Sequence, residues 1–153
     1  METKKQVSIR LLHIREKSFT LSLPDIPEEE ITFGKNLFLG MGFQFAIDKE
    51  KEHFIVSNLV DYKITEAEES VLKLEVEFVF HVQDLSKVAN TEEENSINID
   101  DSFVETIAGI CIGTTRGVLA TKTRGSIMAG FPLPILNPKE VLKGMNNTKE
   151  SKQ

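Results

Sequence analysis

The sequence predicts an α+β protein: a four-stranded antiparallel sheet followed by one long helix and a short closing helix, with both helices on one side. Three observations lead there. Apolar residues alternate with polar or small ones in four segments before residue 83. Only short turns separate the second, third and fourth segments, which makes them consecutive hairpin strands. A single stretch of helical periodicity, residues 100–125, comes after the last of them.

The first strand region runs from Val7 to Leu23. Val7, Ile9 and Leu11 alternate, the pattern slips near Leu12, and it resumes on Phe19, Leu21 and Leu23, as a bulge would produce. Pro24 and Pro27 end it, and PDIPEEEITFGK has the composition of a crossing loop rather than a tight turn. The second strand is the clearest: Leu37, Leu39, Met41, Phe43, Phe45 and Ile47 take every second position, with Phe38, Gly40, Gly42, Gln44, Ala46 and Asp48 between them. After a DKEK turn come Phe54, Val56, Val60, Tyr62 and Ile64, and after TEAEES come Leu72, Leu74, Val76, Phe78, Phe80 and Val82. Lys73, Glu75, Glu77 and His81 alternate with that last set, so one sheet face meets solvent or a partner's polar surface. Ser86 to Asn98, with an acidic run at 92–94, reads as a solvated connector.

The stretch 100–125 reads as one helix with marked ends. Asp100, Asp101 and Ser102 are N-cap candidates, Glu105 and Lys122 have the signs that the helix dipole favours, and Gly125 suits the position just past the end. Phe103, Ile107, Ile110, Cys111, Thr114 and Val118 follow the spacing of an apolar face. Gly109, Gly113 and Gly117 form a second line, and each costs an isolated helix roughly 1 kcal/mol relative to alanine. Close approach of another backbone would offset that cost, so this line is the candidate oligomer interface. An extended apolar arm follows, from Gly130 through Phe131, Pro132 and Pro134. NPKEVLK then pairs an N-cap with proline at the first helical position, giving a short helix over 137–143. Residues 1–143 form a single domain, and 144–153 read as a polar, disordered tail.

The 153 residues suffice for one domain with a substantial core, and the net charge of −6 argues against a nucleic-acid partner. Cys111 is the only cysteine and lies mid-helix among apolar neighbours, which suits an inert thiol better than a nucleophile. Neither a signal peptide nor a membrane-inserting segment is legible, so a cytoplasmic protein is expected. There is no Gly-rich phosphate loop, no CxxC, and no pair of histidines at helical spacing; His13, His53 and His81 are scattered. No catalytic residue, metal or cofactor is expected, and the chain does not read as an enzyme. What stands out is ten phenylalanines against one tyrosine and no tryptophan. Phe33 in the crossing loop, Phe38 on the minor face of its strand, and Phe131, Leu133 and Ile135 on the arm are candidates for an apolar groove that takes extended polypeptide. The alternative is that they simply pack.

Local sequence also carries a family likeness. VSIRLLHIREKSFTLSLPD, with its Ser18-Phe19 pair, resembles the first strand of the SecB export-chaperone family, and VLKLEVEFVFHV is similar to its fourth. TTRGVLATKTRG followed by GFPLPILNPKEVL is similar to its long helix, the Arg-Gly after it, and the proline-containing segment before its last helix. The likeness spans nearly the whole chain through short motifs. It implies a SecB-like fold assembled as a homotetramer, a dimer of dimers with long helices between them. Such an assembly binds unfolded client polypeptides without ATP, as a holdase, and keeps them competent for export. In that family an acidic patch on the outer sheet face recruits the SecA motor. Glu16 matches one acidic position as a possible motor-docking residue, whereas Thr20 and Lys73 stand where acidic residues are expected, and GMNNTKESKQ is mixed in sign where the family tail is acidic. SecA is therefore a doubtful partner, and a SecB-like chaperone dedicated to a particular client, such as an antitoxin or a mobile-element protein, is a rival. From another class, a hot-dog acyl thioesterase also combines a sheet with a central helix, but its helix comes early in the chain and this one comes last. A third reading is an oligomeric adaptor whose grooves its own side chains fill.

Overall fold

The computed structural model describes residues 7–23, 25–65, 70–93 and 96–150. The tip of the TEAEES turn, residues 66–69, lies outside them, as do part of the acidic run and the last three residues of the chain. The main sheet contains β1 (Ile9–Leu21), β2 (Leu37–Asp48), β3 (His53–Ile64) and β4 (Ser70–Val82) in the order β1-β4-β3-β2, all antiparallel. β2, β3 and β4 form a meander, and β1 returns beside β4, so the loop after β1 must cross from one edge of the sheet to the other. That loop is fixed internally: the Asn36 side chain accepts from the Thr32 amide at 2.7 Å and donates to the Glu30 carbonyl at 2.7 Å.

Alternation sorts the side chains as the sequence predicts. Facing the helices are Leu37, Phe54, Val56, Val60, Tyr62, Leu72, Leu74, Val76, Phe78 and Phe80, all buried. The bulge near Leu12 is present, and the register shifts again between Glu16 and Ser18. α1 (Asp101–Lys122) lies across β3 and β4, and its ends follow from its caps. The Asp100 carboxylate accepts from the Phe103 amide at 3.1 Å, and Gly125 turns the chain away at φ +78°. By length and composition alone α1 is long and apolar enough to cross a membrane, but its sheet-facing side belongs to the core.

Three features differ from expectation. The buried face of α1 is Phe103, Ile107, Ala108, Cys111, Ile112, Thr115 and Leu119, while Ile110 is 40% exposed and Thr114 and Val118 are half-buried. The helix has apolar residues on most sides, so spacing alone fixes its sunken flank only to within about one residue. The connector after β4 contains a hairpin, β5 (Ala89–Glu93) with β6 (Ser96–Ile99), anchored by buried Leu85, Val88 and Ala89. Its own residues are mostly polar, which hid the alternation. Finally, α2 (Pro138–Glu150) begins where the Asn-Pro pair places it but continues through Gly144, beyond the boundary read at 143.

Candidate functional site

Reactive chemistry is scarce. Cys111 is fully buried, and burial pushes its thiol up to about 12, so it stays protonated and unreactive at neutral pH. No group of three or more metal-ligating side chains occurs among the described residues. His53 and His81 oppose each other on the outer sheet face with ring centres 6.3 Å apart.

A cleft of about 860 Å³ lies between β2, β6, the start of α1, and α2. Phe43, Phe45, Ile99, Val104, Leu142 and Met145 supply its apolar lining. Asp101 and Glu105 of α1, with Lys139 and Lys143 of α2, give it charge of both signs. A smaller hollow of about 280 Å³ continues it along Leu39 and Met41 toward Val141 and Met145. The two run along the helix-facing side of β2 from Leu39 to Phe45.

β2 is also an edge strand. It pairs with β3 without a register break from Leu37 to Asp48, and among the described residues no strand pairs with its other side. An edge offers a row of unpaired amides and carbonyls as a template for another strand. The opposite edge, β1, is blunted by two register shifts and by Arg10, Arg15, Glu16 and Lys17. β2 has neither device: no bulge, no proline, and no charged side chain before Asp48.

The aromatic residues define a second feature. Phe33 meets Tyr62 edge-on at 5.6 Å and lies 6.4 Å from Phe131, on the helix side of the sheet. The arm beyond Phe131 is held by three side-chain donors. Tyr62 donates its hydroxyl to the Phe131 carbonyl at 3.2 Å; Arg116 of α1 donates Nε to the Leu133 carbonyl at 2.9 Å and Nη2 to the Pro134 carbonyl at 2.7 Å. Burial raises the Tyr62 phenol to about 12, against a smaller lowering by Arg116, so it remains a donor.

The structure brings only part of the predicted groove together. Phe33 and Phe131 do meet. Leu133 is 2% exposed and belongs to the core, and Ile135 is 96% exposed with nothing over it. Phe38 is 44% exposed and opposes Lys63 on the outer face, across the sheet from the others, because odd and even positions of β2 point opposite ways. Phe43 is buried in the core, Leu39, Met41 and Phe45 pack half-buried against it, and all four line the cleft and its continuation. The available signal was in α2, where Val141, Leu142 and Met145 share an apolar side.

Among the glycines, a Cβ on Gly109 would meet Pro138 Cγ at 3.5 Å, while Gly113 and Gly117 have open space around them. Glu16 differs from the reading of it as an outer-face residue. It pairs in register with buried Val76, on the helix side, and its carboxylate lies 2.8 Å from Lys122 Nζ. The second bulge of β1 comes just after it, between Glu16 and Ser18.

An antiparallel sheet with a crossing loop, a long helix after the last strand, and a cleft beside an open edge strand define a SecB-like α+β architecture. Among solved structures, the Mycobacterium tuberculosis Rv1957 SecB-like chaperone, in complex with a ChAD peptide from the Rv1956 HigA1 antitoxin, shares this fold. It superposes with a TM-score of 0.53 at 18% identity, over 84% of this chain and 90% of that one. A protein of unknown function from Streptococcus agalactiae aligns with a TM-score of 0.43 at 16% identity, over 86% of this chain and 98% of that one. No protein-family model and no curated protein sequence matches the chain.

Proposed function

We propose that this protein is an ATP-independent chaperone of the holdase type, acting in the cytoplasm, which binds unfolded or extended segments of client polypeptide beside β2. The observation that carries the reading is the contrast between the two sheet edges. One is blunted by bulges and charge; the other is long, regular and uncharged, and runs along an apolar cleft. An extended segment laid there would make main-chain hydrogen bonds to β2 and place alternate side chains in the cleft, a mode that binds many sequences. The antitoxin peptide held by the similar mycobacterial chaperone supports the same class of ligand. No step of this binding requires a nucleotide, metal or catalytic group.

A homotetramer is part of the proposal. Gly113, Gly117 and Ala120 are exposed on α1, beside Ile110, and their small size lets a second helix approach closely. Between the two client readings, charge favours a dedicated client over SecA-linked export. Glu77 on the outer face lies near Lys17 and Arg15, at 3.7 and 4.0 Å, Asp61 is 4.0 Å from Lys63, and Glu16 is paired with Lys122. Acidic groups neutralised in this way leave a weak field for a basic motor surface.

The test is aggregation of a reduced, denatured client at equimolar assembled chaperone, with mass by light scattering. Suppressed aggregation and a co-eluting complex are expected. No suppression and no complex at micromolar concentration would reject the function.

A further inference from the structure

All three histidines of the chain stand on the outer face of the sheet, across it from the cleft. Two of them share one place. His53 is the first residue of β3, His81 is the last but one of β4, and they are directly opposite. The Val82 amide donates to the Glu52 carbonyl at 2.9 Å, a bond that runs beside this pair rather than within it. His53 and His81 are therefore a non-hydrogen-bonded pair, the closer of the two kinds, with Cα atoms about 4.5 Å apart. Their ring centres lie 6.3 Å apart with the planes at 85°. Both side chains are half-buried, so each ring is confined and still reaches water. His13 is exposed and opposes Val79, farther along β1.

We infer that His53 and His81 together chelate one late first-row divalent metal ion, with water completing its coordination. A neutral imidazole holds such an ion through a ring nitrogen at about 2.0–2.1 Å, which puts the ring centre about 3.2 Å from the metal. Two rings on one ion then have centres about 4.5 Å apart when the ligands meet at a right angle and about 6.4 Å apart when they are opposite. The observed 6.3 Å lies inside that range near its open end, so a small side-chain rotation brings both nitrogens onto one ion with the strands in place. A pair of imidazoles suits Cu(II), Ni(II) and Zn(II), and Cu(II) binds most tightly in that series. The flanking charges on the same row are opposite in sign: Asp48 opposes His53 on β2, and Arg10 opposes His81 on β1. Asp48 Oδ1 accepts from the Lys51 amide at 3.3 Å, which ties that carboxylate to the turn and leaves its negative charge beside the site. Arg10 is exposed on the edge strand, where its long side chain can turn into solvent. An ion here would tie the start of β3 to the end of β4, where the connector to β5 and β6 leaves the sheet. The Leu85 amide of that connector donates to the carboxylate of Glu52, next to His53, at 3.2 Å, so occupancy should steady sheet end and connector together.

The test titrates Cu(II) into untagged, metal-free full-length protein at neutral pH, with electron paramagnetic resonance and urea unfolding as readouts. One ion per chain is expected, with the spectrum of two imidazole nitrogens. At free Cu(II) about a hundred times Kd, the folding constant should rise by up to about a hundredfold, less whatever the unfolded chain binds. His53→Ala and His81→Ala should each lose the two-nitrogen spectrum and bind about tenfold or more weakly, because a second ligand held beside the first raises affinity by at least that much. His13→Ala should match the parent. His53→Asn, which keeps a polar side chain at this half-buried position, should repeat the loss and so separates it from a strand disturbed by alanine. Client binding beside β2 should be unchanged in every variant. Affinity and spectrum that survive in both single variants, or that fall equally in His13→Ala, would mean an adventitious ion only and overturn the inference. So would a folded parent with no saturable Cu(II) binding in the micromolar range.

Discussion

Replacing Arg116 with alanine tests how the arm is held. The guanidinium makes two charged hydrogen bonds, at 2.9 Å to the Leu133 carbonyl and 2.7 Å to the Pro134 carbonyl. Bonds to a charged group contribute about 1.5–3 kcal/mol each, and Arg116 is only half-buried, so the lower end applies and the pair contributes about 3 kcal/mol. For a chain of this size each kcal/mol moves the melting midpoint by about 2–4 °C, so Arg116→Ala should melt roughly 6–12 °C lower. Arg116→Lys keeps the charge but offers a point donor that serves one carbonyl, and should lose about half as much. Because the arm leads directly into α2, one wall of the cleft, its release should also weaken client-peptide binding severalfold. Calorimetry and peptide anisotropy on the three proteins measure both effects. An Arg116→Ala protein that melts within a degree of the parent, with unchanged affinity, would refute the assignment of Arg116 as the arm's anchor.

Other outcomes follow from the same geometry. Gly113→Leu places its side chain in open space and should leave the subunit folded while lowering the assembled mass; Val118→Ala should cost about 1 kcal/mol and leave the mass unchanged. Equal masses would remove the glycine-mediated contact. Asp100→Ala removes the cap of α1 and should cost about 1 kcal/mol in a denaturant titration, with little change in slope. Cys111 is pushed up from 9.0 to about 12 and Tyr62 from 10.0 to about 12, so both raised pKa values favour the native state while the groups stay protonated. That stability is whole below pH 9, declines above it as the unfolded thiol and then the unfolded phenol ionise, and is lost by about pH 12. Urea midpoints on either side of pH 9 should therefore fall more for the parent than for Cys111→Ala.

Much of the scaffold was legible because the two faces of β3 and β4 differ so sharply. Val56, Tyr62, Leu74 and Phe78 are buried, while Lys73, Glu75 and Glu77 alternate with them on the other face. The ends of α1 were legible for a local reason, since a cap acts within one turn. Its sunken flank was not, because Ile110 and Ile112 are equally apolar and only the sheet decides between them. The same limit applies to the site. Phe33 and Phe131 are adjacent through the crossing loop and the arm, a pairing that composition suggested. That β2 is an edge depends on which strand β1 joins, a long-range choice that no short pattern encodes. Glu16 was misplaced for a related reason: β1 carries two bulges, and its face can be read only against β4.

Amide hydrogen exchange, with and without saturating unfolded client, tests the central claim most directly. If a client segment pairs with β2, the amides of residues 38–48 that do not bond β3 should slow strongly, with smaller protection along α2, while β1 stays unchanged. Full client binding with no added protection anywhere on β2 would contradict the account.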